Sequence, residues 1–320
     1  MMRRRTSSLL VVTIVLTAGI CLAQFQPWSG PGRRGASSGK LVRIEGGGVI
    51  DEDAVRTARE TVSHSADTPN WTNAPGFEQD VFTFARVIFQ SDSSSGYGRR
   101  GFGPRLGWWV DYPDADLNFS YRLQQLTSIR TDPDGRVLKL TDPAVFDYPL
   151  LYLEHAGYMR LDEEEIAALR KYLAAGGALF VNDFWGAREW DGFADQIGRV
   201  LPNRSWVELS PEHPIFHCVF DLRGPMCRWR VPTMQFWNED FNADDPQSAP
   251  HRVFRGEGSE EMHVRALLDD KGRIMILAIH NSDVSDGWER EEENDFYFNR
   301  FSEKIAYPLG INIIFYLMTH

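Results

Sequence analysis

The sequence predicts an α/β fold in which helices cover both faces of a mostly parallel β-sheet. Two short, wholly apolar runs, residues 150–153 and 178–181, have the length and composition of buried strands. Between them lies an amphipathic helix with Ile166, Leu169 and Leu173 on one face. A strand, helix, strand connection of this kind is right-handed, so both strands point the same way and end at the same edge of the sheet.

The connecting helix carries clear start and stop signals. Asp162 is the predicted N-cap, and Glu165 three residues later completes a capping box. Gly176 and Gly177 mark the C-terminal end, because glycine adopts the left-handed conformation there at little cost. The segment from residue 148 to residue 186 is therefore the unit around which the rest of the chain is arranged.

Composition and charge limit the classes of function. The chain has 320 residues, of which 42% are hydrophobic and 12% aromatic, and this content is typical of a globular protein. Its formal net charge is −11 at pH 7, and no basic stripe lies outside the N-terminal tail. An acidic surface repels phosphate backbones, so the sequence excludes nucleic acid as a partner.

The first 23 residues have the three parts of a secretory signal. Residues 3–5 are arginines, residues 9–16 are apolar, and Cys21 and Ala23 are small residues at positions −3 and −1 of a cut after Ala23. We therefore predict a secreted or periplasmic protein. The alternative is a retained membrane anchor, although the apolar run is shorter than the roughly 20 residues that a span needs.

The remainder divides into a lead-in and one domain. Residues 24–77 begin as a Gly, Ser and Pro-rich linker, and residues 78–320 are predicted to form a single α/β domain. Further strands are expected at residues 80–90, 136–140, 205–209 and 272–279, and further helices at residues 114–127, 192–201 and 303–318. Residues 220–265 show little periodicity and are predicted to be an excursion over the sheet edge.

No local spacing in the sequence identifies a metal or a cofactor. His213 and His217 are four residues apart, but Pro214 makes a helix through them improbable, so they are not assigned as ligands. Cys218 and Cys227 flank a turn, and in an oxidising compartment this favours a disulfide over a catalytic thiol. We assign no metal-binding residue, and the cofactor is left unknown.

Polar and aromatic residues follow the predicted core strands at the points where the strands end. Open α/β sheets bind ligands at this edge. His155, Asp183 and His280 have the chemistry for general acid or base catalysis and are the candidate catalytic residues. The candidate ligand-binding residues, whose aromatic members suit stacking on a sugar or aryl group, are Trp109, Asp111, Tyr112, Tyr158, Asn182, Trp185, Asn281, Asp283, Asp286 and Trp288.

Several ordered motifs carry a resemblance to a known family. They are DVFTFAR at residues 80–86, WWVDYPDADLNF at 108–119, LTDPAVFDYPLLYLEHAGY at 140–158, LRKYLAAGGALFVNDFWG at 169–186, EHPIFH at 212–217 and HNSDVSDGWE at 280–289. Over about residues 78–320 the chain resembles the bacterial domain of unknown function 4159 family. That family is similar in layout to class I glutamine amidotransferase-like and trehalose-utilisation-like domains, which implies a flavodoxin-like sheet. Amidotransferases carry a cysteine nucleophile after a core strand, and residues 182–184 contain none, so glutaminase chemistry is not expected.

Three functions remain open from the sequence. The first is binding of a small polar ligand, such as a carbohydrate derivative, in a cleft at the strand ends. The second is an envelope hydrolase with Asp183 as base or nucleophile and His155 or His280 as its partner. The third is a non-catalytic role in an envelope protein assembly, with residues 220–265 as the segment that binds the partner. Membrane contact is expected only through an uncleaved N-terminal segment. Against all three stands a purely structural interpretation, in which Asp183 caps a turn and the tryptophans close the core.

Overall fold

The computed structural model describes residues 40–44, 47–65, 67–77, 80–92, 107–224, 229–234 and 256–320. The residues from Gly39 to His320 form one compact unit. The predicted leader at residues 1–23 lies outside the described residues and stays a prediction. Among the helices that the structure describes, none is both long enough and apolar enough to cross a membrane.

The strands and helices occur in the following order along the chain. The strands are β1 (Leu41–Arg43), β2 (Val49–Asp51), β3 (Ala85–Ile88), β4 (Gln90–Ser91), β5 (Arg136–Lys139), β6 (Leu150–Glu154), β7 (Met159–Arg160), β8 (Ala178–Asn182), β9 (Val207–Glu208), β10 (His263–Leu268) and β11 (Ile274–His280). The helices are α1 (Asp114–Leu126), α2 (Glu163–Ala174), α3 (Gly186–Val200), α4 (Asp286–Glu289), α5 (Asp295–Tyr297) and α6 (Tyr307–Thr319), and a π-helical segment (Phe298–Ala306) precedes α6.

Within the described residues, the central sheet has seven strands in the order β5-β3-β6-β8-β11-β10-β9. The first five of these are parallel to their neighbours, and β10 and β9 are antiparallel at one edge. When the five parallel strands are numbered by their order along the chain, their order across the sheet is 2-1-3-4-5, which is the flavodoxin-like order. This topology confirms the predicted α/β class and the flavodoxin-like layout.

Helices cover both faces of the sheet, as the wholly apolar strands require. On one face α2 and α3 pack against the sheet, with Leu169 fully buried. On the other face α1 and α6 do the same, with Phe119 fully buried. Consecutive residues of β8 face opposite cores, Leu179 in the first and Phe180 in the second. Each such buried side chain contributes about 1.5–3 kcal/mol, so the sheet is held from both sides.

The unit formed by β6, α2 and β8 matches its sequence signals closely. Asp162 Oδ1 accepts a hydrogen bond from the Glu165 amide at 2.8 Å, and Glu165 Oε2 accepts one from the Asp162 amide at 3.0 Å. Gly176 follows the helix with φ 107°, a conformation that favours glycine. The predicted capping box and glycine stop are both confirmed.

Helix α3 and strand β10 differ from the sequence prediction. Helix α3 starts at Gly186 rather than at residue 192, because Glu189 and Glu257 accept hydrogen bonds from the amides that open it, those of Trp185 and Ala187. Strand β10 begins inside the segment that is predicted to be an excursion, residues 220–265, and continues to Leu268. It lies next to the edge strand β9, and its alternation of buried and half-buried residues is too short to stand out in a polar region.

Part of the predicted lead-in belongs to the core. Val42, Ile50 and Val55 are buried in the same cluster as the α2 side chains, and Glu52 accepts a hydrogen bond from Trp108 Nε1 at 2.7 Å. The compact unit therefore begins before residue 78. Cys227 lies outside the described residues, so the expected disulfide with the half-buried Cys218 stays a prediction.

Candidate functional site

Three neighbouring parallel strands end beside one another in polar residues. Glu154 at the end of β6 is in register with Asn182 at the end of β8. Beyond them, the His155 amide donates to the Asn182 carbonyl at 3.0 Å, and the Asn281 amide after β11 donates to the Phe184 carbonyl at 3.0 Å. The parallel topology thus brings the segments that follow β6, β8 and β11 to one edge, as the sequence predicts.

Each of these three segments begins with a left-handed residue that is not glycine. The φ angles are 52° at His155, 49° at Asp183 and 63° at Asn281, and Asp111 in the loop before α1 has φ 57°. The left-handed conformation costs a residue with a Cβ about 1–2 kcal/mol, although Asn, Asp and His tolerate it best. Concentration of such backbone at one place is typical of functional sites.

His155 and Asp183 form a direct side-chain pair. His155 Nδ1 lies 3.0 Å from Asp183 Oδ2, and the Trp185 indole donates to Asp183 Oδ1 at 2.6 Å. When Asp183 is ionised it only accepts hydrogen bonds, and in that state Nδ1 carries the proton and Nε2 is the basic nitrogen of the ring. The ring of Tyr158 stacks on that of His155 at 6.3 Å between centroids. These contacts orient the His155 ring and the Asp183 carboxyl group.

Asp183 and four other buried carboxylates form a group that is called here the acidic cluster: Asp111, Glu154, Asp183, Asp283 and Asp286. One oxygen from each of Asp111, Glu154 and Asp183 lies within 4.8 Å of the other two. The same holds for Asp111, Asp283 and Asp286, so Asp111 belongs to both groups. All five residues are 3% exposed or less. The acidic cluster joins four segments that are far apart in sequence.

Asp283 and Asp286 in the acidic cluster accept hydrogen bonds from residues outside the cluster and from each other's segment. Asp283 accepts from the Thr233 hydroxyl at 2.7 Å and from the Asp286 amide at 3.0 Å. Asp286 accepts from the Met234 amide at 2.6 Å and from Arg290 Nε at 3.3 Å. These contacts fix the directions of the two carboxylates.

Burial and like charge oppose ionisation in the acidic cluster. Burial, reinforced by the charges of Glu289, Asp286, Asp283 and Glu154, raises the pKa of Asp111 well above its usual range. Burial likewise raises the pKa of Glu154 to about 8, although the nearby Arg86 guanidinium acts in the opposite direction. Burial and the neighbouring acids also raise the pKa of Asp283. The cluster therefore needs bound protons or a bound cation to remain buried.

Two residues that the sequence did not single out shape the site. Glu154 is the last residue of an otherwise apolar strand, and its Oε2 accepts a hydrogen bond from the Tyr152 hydroxyl. Arg86 on β3 binds Asp116 through Nε at 2.9 Å and donates from Nη1 to the carbonyls of Trp108 and Val110 at 2.7 and 2.9 Å. It thereby anchors the loop that carries Asp111. A charged residue within a predicted buried strand, residues 80–90, is the signal that could identify Arg86.

His280 lies in a different environment from the pair. Its Nε2 is 3.0 Å from the Gly186 carbonyl, and its ring packs on Phe184 and Trp190 at 5.0 and 5.4 Å. Burial lowers the pKa of His280 to about 3, so the ring is neutral near pH 7. Because of these contacts we assign His280 to support of the start of α3, and this replaces its expected role as an acid or base.

The lowered pKa of His280 predicts a loss of stability in acid. As pH falls from the ordinary value of 6.5 towards 3, the unfolded chain binds a proton that the folded chain does not. The free energy of unfolding is therefore expected to fall by up to about 1.4 kcal/mol per pH unit in this range. Urea denaturation of the wild type, His280→Gln and the control His217→Gln at pH 7 and pH 4.5 measures this change in the free energy of unfolding. The change is expected to be smaller in His280→Gln than in the wild type, and His217→Gln is expected to match the wild type. An equal change in all three proteins contradicts the prediction.

Three of the aromatic candidates are part of the core. The Trp288 ring lies 4.4 Å from that of Phe119 and is fully buried. Tyr112 donates its hydroxyl to the Thr57 carbonyl at 2.8 Å, and Trp109 packs against Trp108. These contacts give the three rings structural roles, whereas Tyr158 and Trp185 touch the His155–Asp183 pair.

The two asparagine candidates organise the backbone around the site. Asn182 donates to the Ser285 hydroxyl at 2.8 Å. Asn281 donates to the Gly258 and Glu261 carbonyls at 2.8 and 2.6 Å and accepts from the Gly186 amide at 2.8 Å. Both side chains therefore position the segments that carry the acidic cluster.

The chain matches the model of a protein family. The model of the family described as a domain of unknown function (DUF4159) matches residues 96–318, which cover more than half of the chain. No curated protein matches the chain.

Proposed function

Since the chain belongs to the DUF4159 family, whose description names no reaction, we propose from the chemistry of its site that the domain binds a small polar ligand beyond β6, β8 and β11. The observation that carries the proposal is the His155–Asp183 pair, at 3.0 Å, on the sheet edge where flavodoxin-like sheets bind ligands. His155 and Asp183 are 1% and 3% exposed, so only a small ligand, or a small part of one, reaches them.

The chemistry of the pair's surroundings favours a ligand rich in hydroxyl groups. Carboxylates act only as hydrogen-bond acceptors when ionised, and hydroxyl groups are matching donors. The Trp185 indole and the stacked Tyr158 ring add amphipathic aromatic surface beside Asp183 and His155. Polyols and carbohydrate derivatives combine hydroxyl donors with apolar ring faces, and they are the ligand class that we propose.

Hydrolysis of such a ligand is the second candidate function. The observation in its favour is the orientation of His155 by a carboxylate, which prepares Nε2 to accept a proton from water. Both oxygens of Asp183 already accept hydrogen bonds, from His155 and Trp185, and this supports an orienting role for Asp183 instead of the nucleophilic role expected from the sequence. The third possibility, a partner role through residues 220–265, stays a prediction, because residues 235–255 lie outside the described chain.

Thermal denaturation with glucose, N-acetylglucosamine, trehalose and mannitol tests the binding proposal. At least one compound is expected to raise the melting temperature of the full chain by a few degrees when present well above its dissociation constant. Asp183→Asn is expected to remove this increase, and Asp191→Asn, an exposed aspartate on α3, to retain it.

Two results contradict the binding proposal: no compound in the panel changes the melting temperature, or the increase survives in Asp183→Asn. Release of p-nitrophenol from nitrophenyl glycosides and esters separates binding from hydrolysis. Activity that falls about 100-fold or more in folded His155→Gln supports hydrolysis, and binding without turnover supports a binding domain.

A further inference from the structure

We propose that the acidic cluster binds a hard divalent cation, of the class of Mg²⁺, Mn²⁺ and Ca²⁺, with Asp111, Glu154 and Asp183 as its protein ligands. The proposal goes beyond the polar-ligand function, because the cation binds with or without that ligand. It also goes beyond the sequence, in which the three residues lie in separate segments with no recognisable ligand spacing.

The geometry of the three carboxylates fits a single ion. One oxygen from each of Asp111, Glu154 and Asp183 lies within 4.8 Å of the other two. Two ligands of one ion are at most twice the metal–oxygen distance apart, which is about 4.2 Å for Mg²⁺ and about 5 Å for Ca²⁺. The limit of 4.8 Å on these separations therefore lies within the range that two ligands of one Ca²⁺ ion can reach.

Two buried oxygens in this group are without a hydrogen-bond partner among the described residues. They are Asp111 Oδ2 and Glu154 Oε1, and their residues are 3% and 0% exposed. A buried polar atom with no partner costs about 1–3 kcal/mol, and more when it is charged. A cation bound between the two carboxylates would satisfy both atoms. This observation is independent of the number of acids in the cluster.

The positive side chains near the cluster already have other partners. Arg86 acts on Glu154 but binds Asp116, and Arg290 contacts Glu289 at 2.5 Å and Glu293 at 2.8 Å in addition to Asp286. Asp283 and Asp286 place further negative charge next to Asp111. A divalent cation offsets this excess of negative charge, which the two arginines leave uncompensated.

The surroundings of Asp183 are those of an oriented metal ligand. Its two oxygens accept hydrogen bonds from His155 Nδ1 and from the Trp185 indole. Each carboxylate oxygen has two lone pairs, so Asp183 can accept these bonds and still coordinate an ion. Outer hydrogen bonds of this kind fix the direction of a ligand, and their loss typically weakens metal binding 10–100-fold.

Metal titration of the full chain tests the proposal. After treatment with EDTA and dialysis, CaCl₂, MgCl₂ or MnCl₂ is titrated by calorimetry, and the melting temperature is measured with and without the same salts. The wild type is expected to bind about one equivalent of at least one cation and to melt at a higher temperature when it is bound. Asp111→Asn and Glu154→Gln are expected to bind it more than about tenfold more weakly.

The melting temperatures of Asp111→Asn and Glu154→Gln without metal show whether the two variants fold. Each replaces an acid whose ionisation is opposed by burial and by the neighbouring acids, so without metal each is expected to melt at or above the temperature of the metal-free wild type. Asp191→Asn is the matched surface control and is expected to bind the cation as the wild type does.

Absence of both binding heat and thermal shift for all three cations in the wild type overturns the proposal, and so does unchanged affinity in both variants. The titration contains no saccharide, so its failure leaves the polar-ligand function unaffected, and failure of the saccharide panel leaves the cation site unaffected.

Discussion

Replacement of Trp288 by alanine is expected to lower the free energy of unfolding by about 3–5 kcal/mol. The ring is fully buried and lies 4.4 Å from the Phe119 ring, 6.2 Å from Tyr152 and 6.4 Å from Phe180, so its removal leaves a large cavity between α1 and the sheet. Guanidinium denaturation of the wild type and of Trp288→Ala at one pH measures the difference.

Trp288→Phe is the matched control and is expected to lose less, because it keeps an aromatic ring in the same space. The experiment also decides between two assignments of Trp288. A loss of less than about 1 kcal/mol, accompanied by loss of the saccharide response, would restore the ligand-stacking role that the sequence indicates.

Replacement of Arg86 by methionine is expected to have an effect of similar size, about 3–5 kcal/mol, because it leaves Asp116 buried without its charge partner. Arg86 is fully buried, and it contacts Asp116 at 2.5 Å and the carbonyls of Trp108 and Val110. The same denaturation experiment measures the loss.

The double variant Arg86→Met with Asp116→Leu separates the charge from the packing. It is expected to recover much of the lost stability, since replacement of a whole buried pair by apolar residues is often nearly neutral. If the single variant is as stable as the wild type, the ion pair does not hold the loop that carries Asp111.

Much of the fold was predictable because its signals are local. The capping box at Asp162 and Glu165, the stop at Gly176 and the apolar strands on either side of α2 each depend on neighbouring residues. The parallel alignment of β6 and β8 follows from the handedness of their connection. Together these facts predict that His155 and Asp183, which follow the two strands, lie at the same edge of the sheet.

The composition of the site was less predictable because it depends on side-chain direction. Successive residues at a strand end point to opposite faces of the sheet. Asp183, one residue past the end of β8, contacts His155, whereas His280, the last residue of β11, packs on Phe184. The left-handed backbone at His155, Asp183 and Asn281 changes these directions again, and no local sequence rule assigns it. For the same reason the sequence predicts Trp288 as a ligand-binding residue, whereas in the structure its side chain is buried in the core.

The acidic cluster is a product of topology more than of motif. Asp111 lies in the loop before α1, Glu154 ends β6 and Asp183 follows β8. The three side chains come together only when the sheet is assembled. The sequence does not distinguish Glu154 as a site residue, because it ends an apolar strand, where a polar residue is expected. Only the structure shows that Glu154 is completely buried, and a buried carboxylate needs a partner.

Diffraction from crystals grown with MnCl₂ tests the central claim, that the strand-end carboxylates form one cation site. An anomalous difference map recorded near the manganese absorption edge is expected to show a single strong peak at about 2.0–2.6 Å from oxygens of Asp111, Glu154 and Asp183. A map without that peak, with the same carboxyl groups hydrogen-bonded to one another, would show that bound protons alone balance the cluster and would contradict the account.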